Sequence, residues 1–243
     1  YFYMSSFGKK YKITTYGEYD SKSVGVIIEG CPYGMYLNEY DIQKQLNRTK
    51  RNSTNMEDNV EIQSGVNNGI TTGRPICAMV KFNDSQRHDK NNIKIPHIMS
   101  IPINYDNLTK YSESRITYND RISRTIGGAV ADKWLKTHYG IEIVAWVSQI
   151  GYLKYNIEDD MINTVNTIQR ITVDNYVTRC PNRYLSDQIT SLLTDLKEKG
   201  DTIGGIITCI CRKVPIGIGK TKFDQLEAVL AQAMMSIPLS KGF

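Results

Sequence analysis

The sequence predicts an α+β fold in which antiparallel strands are joined by short turns and amphipathic helices stand in separate segments. Three observations carry this reading. Short runs rich in β-branched residues, such as 11–16, 24–28 and 206–211, alternate or fill as strands do. Glycine and proline turns separate several of them, as in Cys31-Pro32-Tyr33-Gly34. The strands do not alternate regularly with helices, which argues against a doubly wound parallel sheet.

In chain order, Tyr11 to Tyr16 reads as a strand ending at Gly17, and Val24 to Ile28 as a second. Leu37 to Leu46 reads as a short helix, with Asn38 as its N-cap and Asp41 in the first turn. It leads into Asn47-Arg48-Thr49-Lys50-Arg51. Two strand segments follow, 60–65 and 69–76, the second continuing to Val80. Gly127 to Leu135 is a helix with small residues suited to tight packing, and 141–147 alternates as a strand. Residues 151–176 are polar and weakly patterned, which suggests a surface helix with loops. Ser186 to Lys199 is a helix with Ile189, Leu192, Leu193 and Leu196 turned inward, closed by Gly200 as C-cap. After the strand at 206–211, Pro215, Gly217 and Gly219 break regular structure. Phe223, Leu226, Val229, Leu230, Ala233, Met234 and Ile237 then recur at spacings of three and four, the mark of a helix with one buried face, stopped by Pro238.

With 243 residues, 40% hydrophobic and 23% charged, the chain is long enough for a substantial core and ordinary for a soluble globular protein. No apolar stretch approaches the roughly 20 residues that cross a bilayer. The first residues lack the basic start and apolar middle of a secretory signal, so a cytoplasmic protein with no membrane partner is expected. Five scattered cysteines and three scattered histidines suit reduced thiols rather than a metal site. The net charge of +5 favours an anionic partner. No nucleic-acid motif accompanies it, so a small phosphorylated ligand is preferred to RNA.

Two stretches narrow the reading further. One is Gly200-Asp201-Thr202-Ile203-Gly204-Gly205, followed by Gly217-Ile218-Gly219, Phe223-Asp224, Leu226-Glu227-Ala228, Leu230-Ala231, Met235-Ser236-Ile237 and Lys241-Gly242. The other comprises Ser6-Phe7-Gly8, Thr14-Thr15, Gly17-Glu18, Gly25, Ile27 to Gly30, Pro32 and Gly34. In this register the chain resembles the chorismate synthase family. Residues 60–84, 122–151 and Arg179-Cys180-Pro181 keep the same register.

The resemblance implies a sandwich of antiparallel sheets and helices in one domain over 1–243, with the C-terminal part of the family fold missing. It implies a 1,4-elimination that converts 5-enolpyruvylshikimate 3-phosphate to chorismate with reduced FMN as cofactor, and NADPH if flavin reduction is intrinsic. It also implies a homotetramer. By the same resemblance, His97 and Asp20 take the catalytic positions, and Arg48, Lys50, Arg51 and Asn119 bind substrate. Arg115, Ile116, Thr117, Pro238 and Leu239 bind the cofactor; no metal is implied.

The departures fall on the site. Tyr19-Asp20 stands where the family has Ser-His, and a carboxylate repels a phosphate where a histidine attracts it. Thr49 and Lys50 replace two of three arginines, and Asn119 replaces another. Ser112-Glu113-Ser114 replaces three glycines. A catalytically impaired member acting as scaffold or subunit is therefore the alternative function, and RNA binding a third.

Overall fold

A computed structural model describes residues 5–17, 21–49, 59–82, 113–155, 166–219 and 222–243, with side chains in the long helix described from residue 119 onward. These residues form two compact units, one from the chain up to Trp134 together with Gly219–Phe243, the other spanning Leu135–Ile218.

The first unit is built on a five-stranded sheet. Its strands are β1 (Ser6–Phe7), β2 (Lys12–Tyr16), β3 (Ser23–Glu29), β4 (Val60–Ser64) and, after a small β5–β6 ribbon (Val66–Asn67 and Ile70–Thr71), β7 (Ile76–Lys81). The order is β1-β2-β3-β7-β4, and every pairing is antiparallel. Side chains two apart on a strand share a face, and the register of β3 on β7 sets Val24 opposite Val80, Val26 opposite Ala78 and Ile28 opposite Ile76. All six are fully buried. Ile42 and Leu46 of α1 (Glu39–Thr49) belong to the same core, as do Ile122, Ile126 and Val130 of α2 (Glu113–Tyr139).

Local chemistry explains the helix starts. Asn38 caps α1 reciprocally: its side-chain oxygen accepts from the Asp41 amide and its own amide donates to the Asp41 carboxylate, both at 3.1 Å. The helix begins and ends two or three residues later than the periodicity suggested, because the cap, rather than the first apolar residue, sets its start. The helix expected at 127–135 is the central part of one that begins at Glu113. Ser-Glu-Ser in place of three glycines removes the residues that break helices, so the segment up to Asn119 is helical. Gly127 bears out the expected tight packing: a Cβ there would lie 3.0 Å from Ile13, and its carbonyl accepts from the Tyr11 hydroxyl at 2.7 Å. Gly128 does not, since nothing lies within 4 Å of where its Cβ would be. The strand expected from 69 to 80 is two strands, β6 and β7, separated by a turn at 72–75.

The C-terminal helix of this unit, α5 (Leu226–Met235), corrects the sequence reading. None of its residues is buried, and Phe223, expected on its inner face, precedes the helix and is 94% exposed. The three-and-four periodicity is real, but the apolar face it makes is left open in this chain.

The second unit holds β8 (Glu142–Ile150), β9 (Leu153–Lys154) and β10 (Gly205–Arg212) in the antiparallel order β10-β8-β9. Val144 and Trp146 of β8 pack with Ile168 and Val173. The last belongs to α3 (Arg170–Asp174), so the 151–176 segment, read as surface, supplies core residues. The helix α4 (Arg183–Lys199) is capped by Asn182, which accepts from the Leu185 amide, and closed by Gly200 in a left-handed conformation, as expected. Ile189 is buried, but Leu193 is 42% exposed and does not join it. The Arg179-Cys180-Pro181 match has a structural role. Arg179 sits at φ 60, binds the Asp174 carboxylate at 2.9 Å, and its carbonyl accepts from Val147 of β8. No helix among the described residues is long and apolar enough to cross a membrane, and no group of three or more His, Cys, Asp or Glu among them is placed to hold a metal.

Ile28 is fully buried near the end of the central strand, so Ile28→Ala is expected to cost about 2–5 kcal/mol through lost burial and a cavity. Urea unfolding followed by circular dichroism reads this directly. A loss under about 1 kcal/mol would mean the β3–β7 row is not the packing centre.

Candidate active site

The site in the first unit is organised by one stretch of α2, residues 119–124. Three side chains there donate to the backbone of three distant segments. Asn119, 3% exposed, donates from its amide nitrogen to the Gly17 carbonyl at 3.3 Å. Arg121 donates to the Thr49 carbonyl at 2.7 Å. Arg124 donates to the hydroxyl of Ser236 at 2.8 Å and to its carbonyl at 3.1 Å. From Asn119 to Arg124 the helix rises only ~7.5 Å, so the ends of β2, α1 and α5 are all tied to one short stretch of α2, with Asn119 on a different face from Arg121 and Arg124.

Each anchored carbonyl lies close in sequence to residues singled out above. Gly17 is three residues before Asp20, Thr49 lies between Arg48 and Lys50, and Ser236 is two residues before Pro238. Arg48 sits in the last turn of α1, half-buried, with a guanidinium nitrogen donating to Gln45 at 2.9 Å. Its positive charge at a helix C-terminus is favourable. Arg115, Ile116 and Thr117 occupy the first turns of α2, on the same rod as Asn119. Pro238 and Leu239 form an exposed turn after α5, with Leu239 held at φ 69 and 80% exposed. Asp20, Lys50, Arg51 and His97 lie outside the described residues.

Of the sequence candidates, the structure places Arg48 at the end of α1, Asn119 on α2 and Pro238 and Leu239 in the turn after α5, and sets the backbone of Arg115, Ile116 and Thr117 on α2. It gives Asn119 a structural contact to Gly17. Sequence reasoning missed Arg121 and Arg124. Their signal was present as two cations three residues apart on one helix, the spacing that shares a face. What the spacing did not reveal was that each meets a backbone carbonyl rather than solvent or a carboxylate alone. Arg124 also pairs with Asp120 at 2.7 Å, one turn earlier.

Further contacts stiffen the frame. Lys133 of α2 pairs with Asp41 of α1, and Lys9 pairs with Asp224 ahead of α5. Tyr16, next to Gly17, is not a proton acceptor at ordinary pH. Burial pushes its hydroxyl up to about 12, and the Cys77 thiol at 3.8 Å adds to the rise.

Guanidinium groups fixed by backbone carbonyls beside an exposed apolar turn suit a ligand with an anionic end and a flat apolar body. The arrangement is that of an α+β protein with two guanidinium groups anchored along one helix. Comparison with known proteins narrows this class. The family model described as chorismate synthase matches residues 11–243. The chorismate synthase of Saccharomyces cerevisiae is 40% identical over 255 residues, covering 99% of this chain and 68% of the relative. Chorismate synthase of Schizosaccharomyces pombe is 38% identical, covering 99% and 69%. That of Prochlorococcus marinus (strain MIT 9301) is 35% identical, covering 98% and 67%. A crystal structure of chorismate synthase superposes with a TM-score of 0.79 at 26% identity, over 96% of this chain and 68% of that one. The chain belongs to the chorismate synthase family, and spans about two thirds of the length of these relatives.

If Arg124 holds the turn after α5, Arg124→Met should lower stability by about 1 kcal/mol and speed amide exchange across 236–240. Hydrogen–deuterium exchange reads the second effect. Unchanged exchange in that segment would show that the guanidinium does not anchor it.

Proposed function

We propose that this chain acts as a chorismate synthase, eliminating phosphate from 5-enolpyruvylshikimate 3-phosphate to give chorismate. The observation that supports the reading is the anchoring of the ends of α1, β2 and α5 to one stretch of α2 through Asn119, Arg121 and Arg124. The substitutions in the site loops leave that frame standing, and the relatives named above are all synthases. No observation favours the scaffold alternative over this reading.

In this proposal Arg48, Lys50 and Arg51 hold the anionic groups of the substrate, with Asn119 beside them. Guanidinium and ammonium groups stabilise a leaving phosphate most when water is excluded, because the field they exert is then least screened. The family requirement is a reduced flavin, which we assign as FMN. It supplies the electron-rich partner that the elimination needs, with no net redox change. Arg115, Ile116 and Thr117 at the start of α2, with Pro238 and Leu239 in the exposed turn, would hold it. NADPH enters only if the chain reduces its own flavin. His97 moves a proton at the reacting end. Asp20 lies where a cation would serve better, because its carboxylate repels a phosphate dianion.

We further propose that the chain functions as one chorismate-synthase-like domain in the cytoplasm and assembles as a homotetramer. The open apolar face of α5, with Leu226, Leu230 and Met235 all more than a third exposed, supports assembly.

The direct test is an anaerobic assay with supplied reduced FMN, reading chorismate formation. Turnover is expected, and Arg48→Ala should raise the substrate KM by roughly tenfold to a hundredfold, the worth of one charge-assisted hydrogen bond. An Arg48→Ala KM equal to that of the parent would remove Arg48 from the site. Asp20→His is expected to raise turnover by replacing a repelling charge with an attracting one. Lower turnover in that folded variant would mean Asp20 does useful work as it stands.

A further inference from the structure

The three-stranded sheet of the second unit has two unlike faces. Val144, Trp146 and Ser148 of β8 are buried on one. On the other, Ala145 is exposed, Ile143 and Val147 are half-buried, and β10 contributes Ile207, Cys209 and Cys211, all exposed. The register sets Cys209 opposite Ala145 and Cys211 opposite Ile143, which fixes both cysteines on the open face. The remaining cysteines differ: Cys31 and Cys180 are buried, and Cys77 is half-buried against the Tyr16 hydroxyl.

Two residues apart on a strand, the Cα atoms are ~6.8 Å apart. That is the outer limit for a disulfide, whose Cα separation is usually shorter. The same spacing suits an ion held between two sulfurs, since two metal–sulfur bonds of ~2.3 Å each span the gap that a single sulfur–sulfur bond does not. The strand is held in register along its length by β8, so the pair is preorganised and little chain entropy is lost on binding.

We propose that Cys209 and Cys211 form a dithiol site on the open face of this sheet that takes one thiophilic cation, of the class of monovalent copper or trivalent arsenic. Soft thiolate ligands select such ions over hard divalent ones. Two thiolates side by side on the strand repel each other. The repulsion between two thiolates is relieved when a cation sits between them. With a trivalent arsenical the step is a condensation: both thiols lose their protons, two arsenic–sulfur bonds replace the arsenic–oxygen bond, and water leaves with no change in oxidation state.

The test is titration of the reduced protein with phenylarsine oxide, followed by thiol counting with a chromogenic aryl disulfide. One equivalent should silence two thiols, resist 2-mercaptoethanol and be released by dimercaptopropanol. Cys209→Ser and Cys211→Val should each weaken arsenical binding by about 100-fold, the loss expected when a second tethered ligand is removed. Both positions face solvent, so the variants should keep the parent circular dichroism. Equal arsenical affinity in parent and Cys211→Val would overturn the proposal. As a second readout, monovalent copper presented through a competing chelator should bind with a sulfur-to-copper ultraviolet band that vanishes in either variant. A band that persists in the double variant would also overturn it.

Discussion

Everything proposed for the first unit depends on side-chain donors in one helix meeting backbone carbonyls elsewhere. A carbonyl at the end of a strand or helix lacks its usual partner and must find another or face water. Asn119, Arg121 and Arg124 supply those partners for Gly17, Thr49 and Ser236. Each bond to a guanidinium is worth about 1.5–3 kcal/mol where water is excluded, more than a neutral bond. The helix is therefore a ruler along which three chain segments are placed.

A ruler of this kind is only as good as its own seating. Ile122 and Ile126 of α2 are fully buried, and Gly127 lets the helix lie against Ile13 with no side chain between them. The Lys133–Asp41 pair holds α1 alongside. Core packing and site geometry are thus one problem: a side chain added at Gly127 would press on β2 and disturb the strand whose end Asn119 holds.

The changes are chemically coherent. Loss of three glycines at 112–114 lets the chain continue as helix from Glu113, and a helix presents side chains where a glycine loop presents backbone. Arg121 ties α2 to the end of α1 through the Thr49 carbonyl. The exposed face of α5 belongs to a different constraint, since apolar periodicity on an element records what it packs against in the working assembly, not only within one chain.

Much of this was legible in the sequence. The α+β class, strands at 11–16, 24–28 and 141–147, the Asn38 cap, the Gly200 closure and the family register all follow from local pattern, because period, capping and turn chemistry act over a few residues. The start of α2 at Glu113, the burial of Ile168 and Val173, and the exposure of α5 did not follow. They depend on which surfaces meet, and no window of sequence contains both partners of a contact. The site divides in the same way. Arg48 and Asn119 could be named from their register, but that Asn119 and Arg121 hold Gly17 and Thr49 was decided only when the chain folded, across separations of 102 and 72 residues.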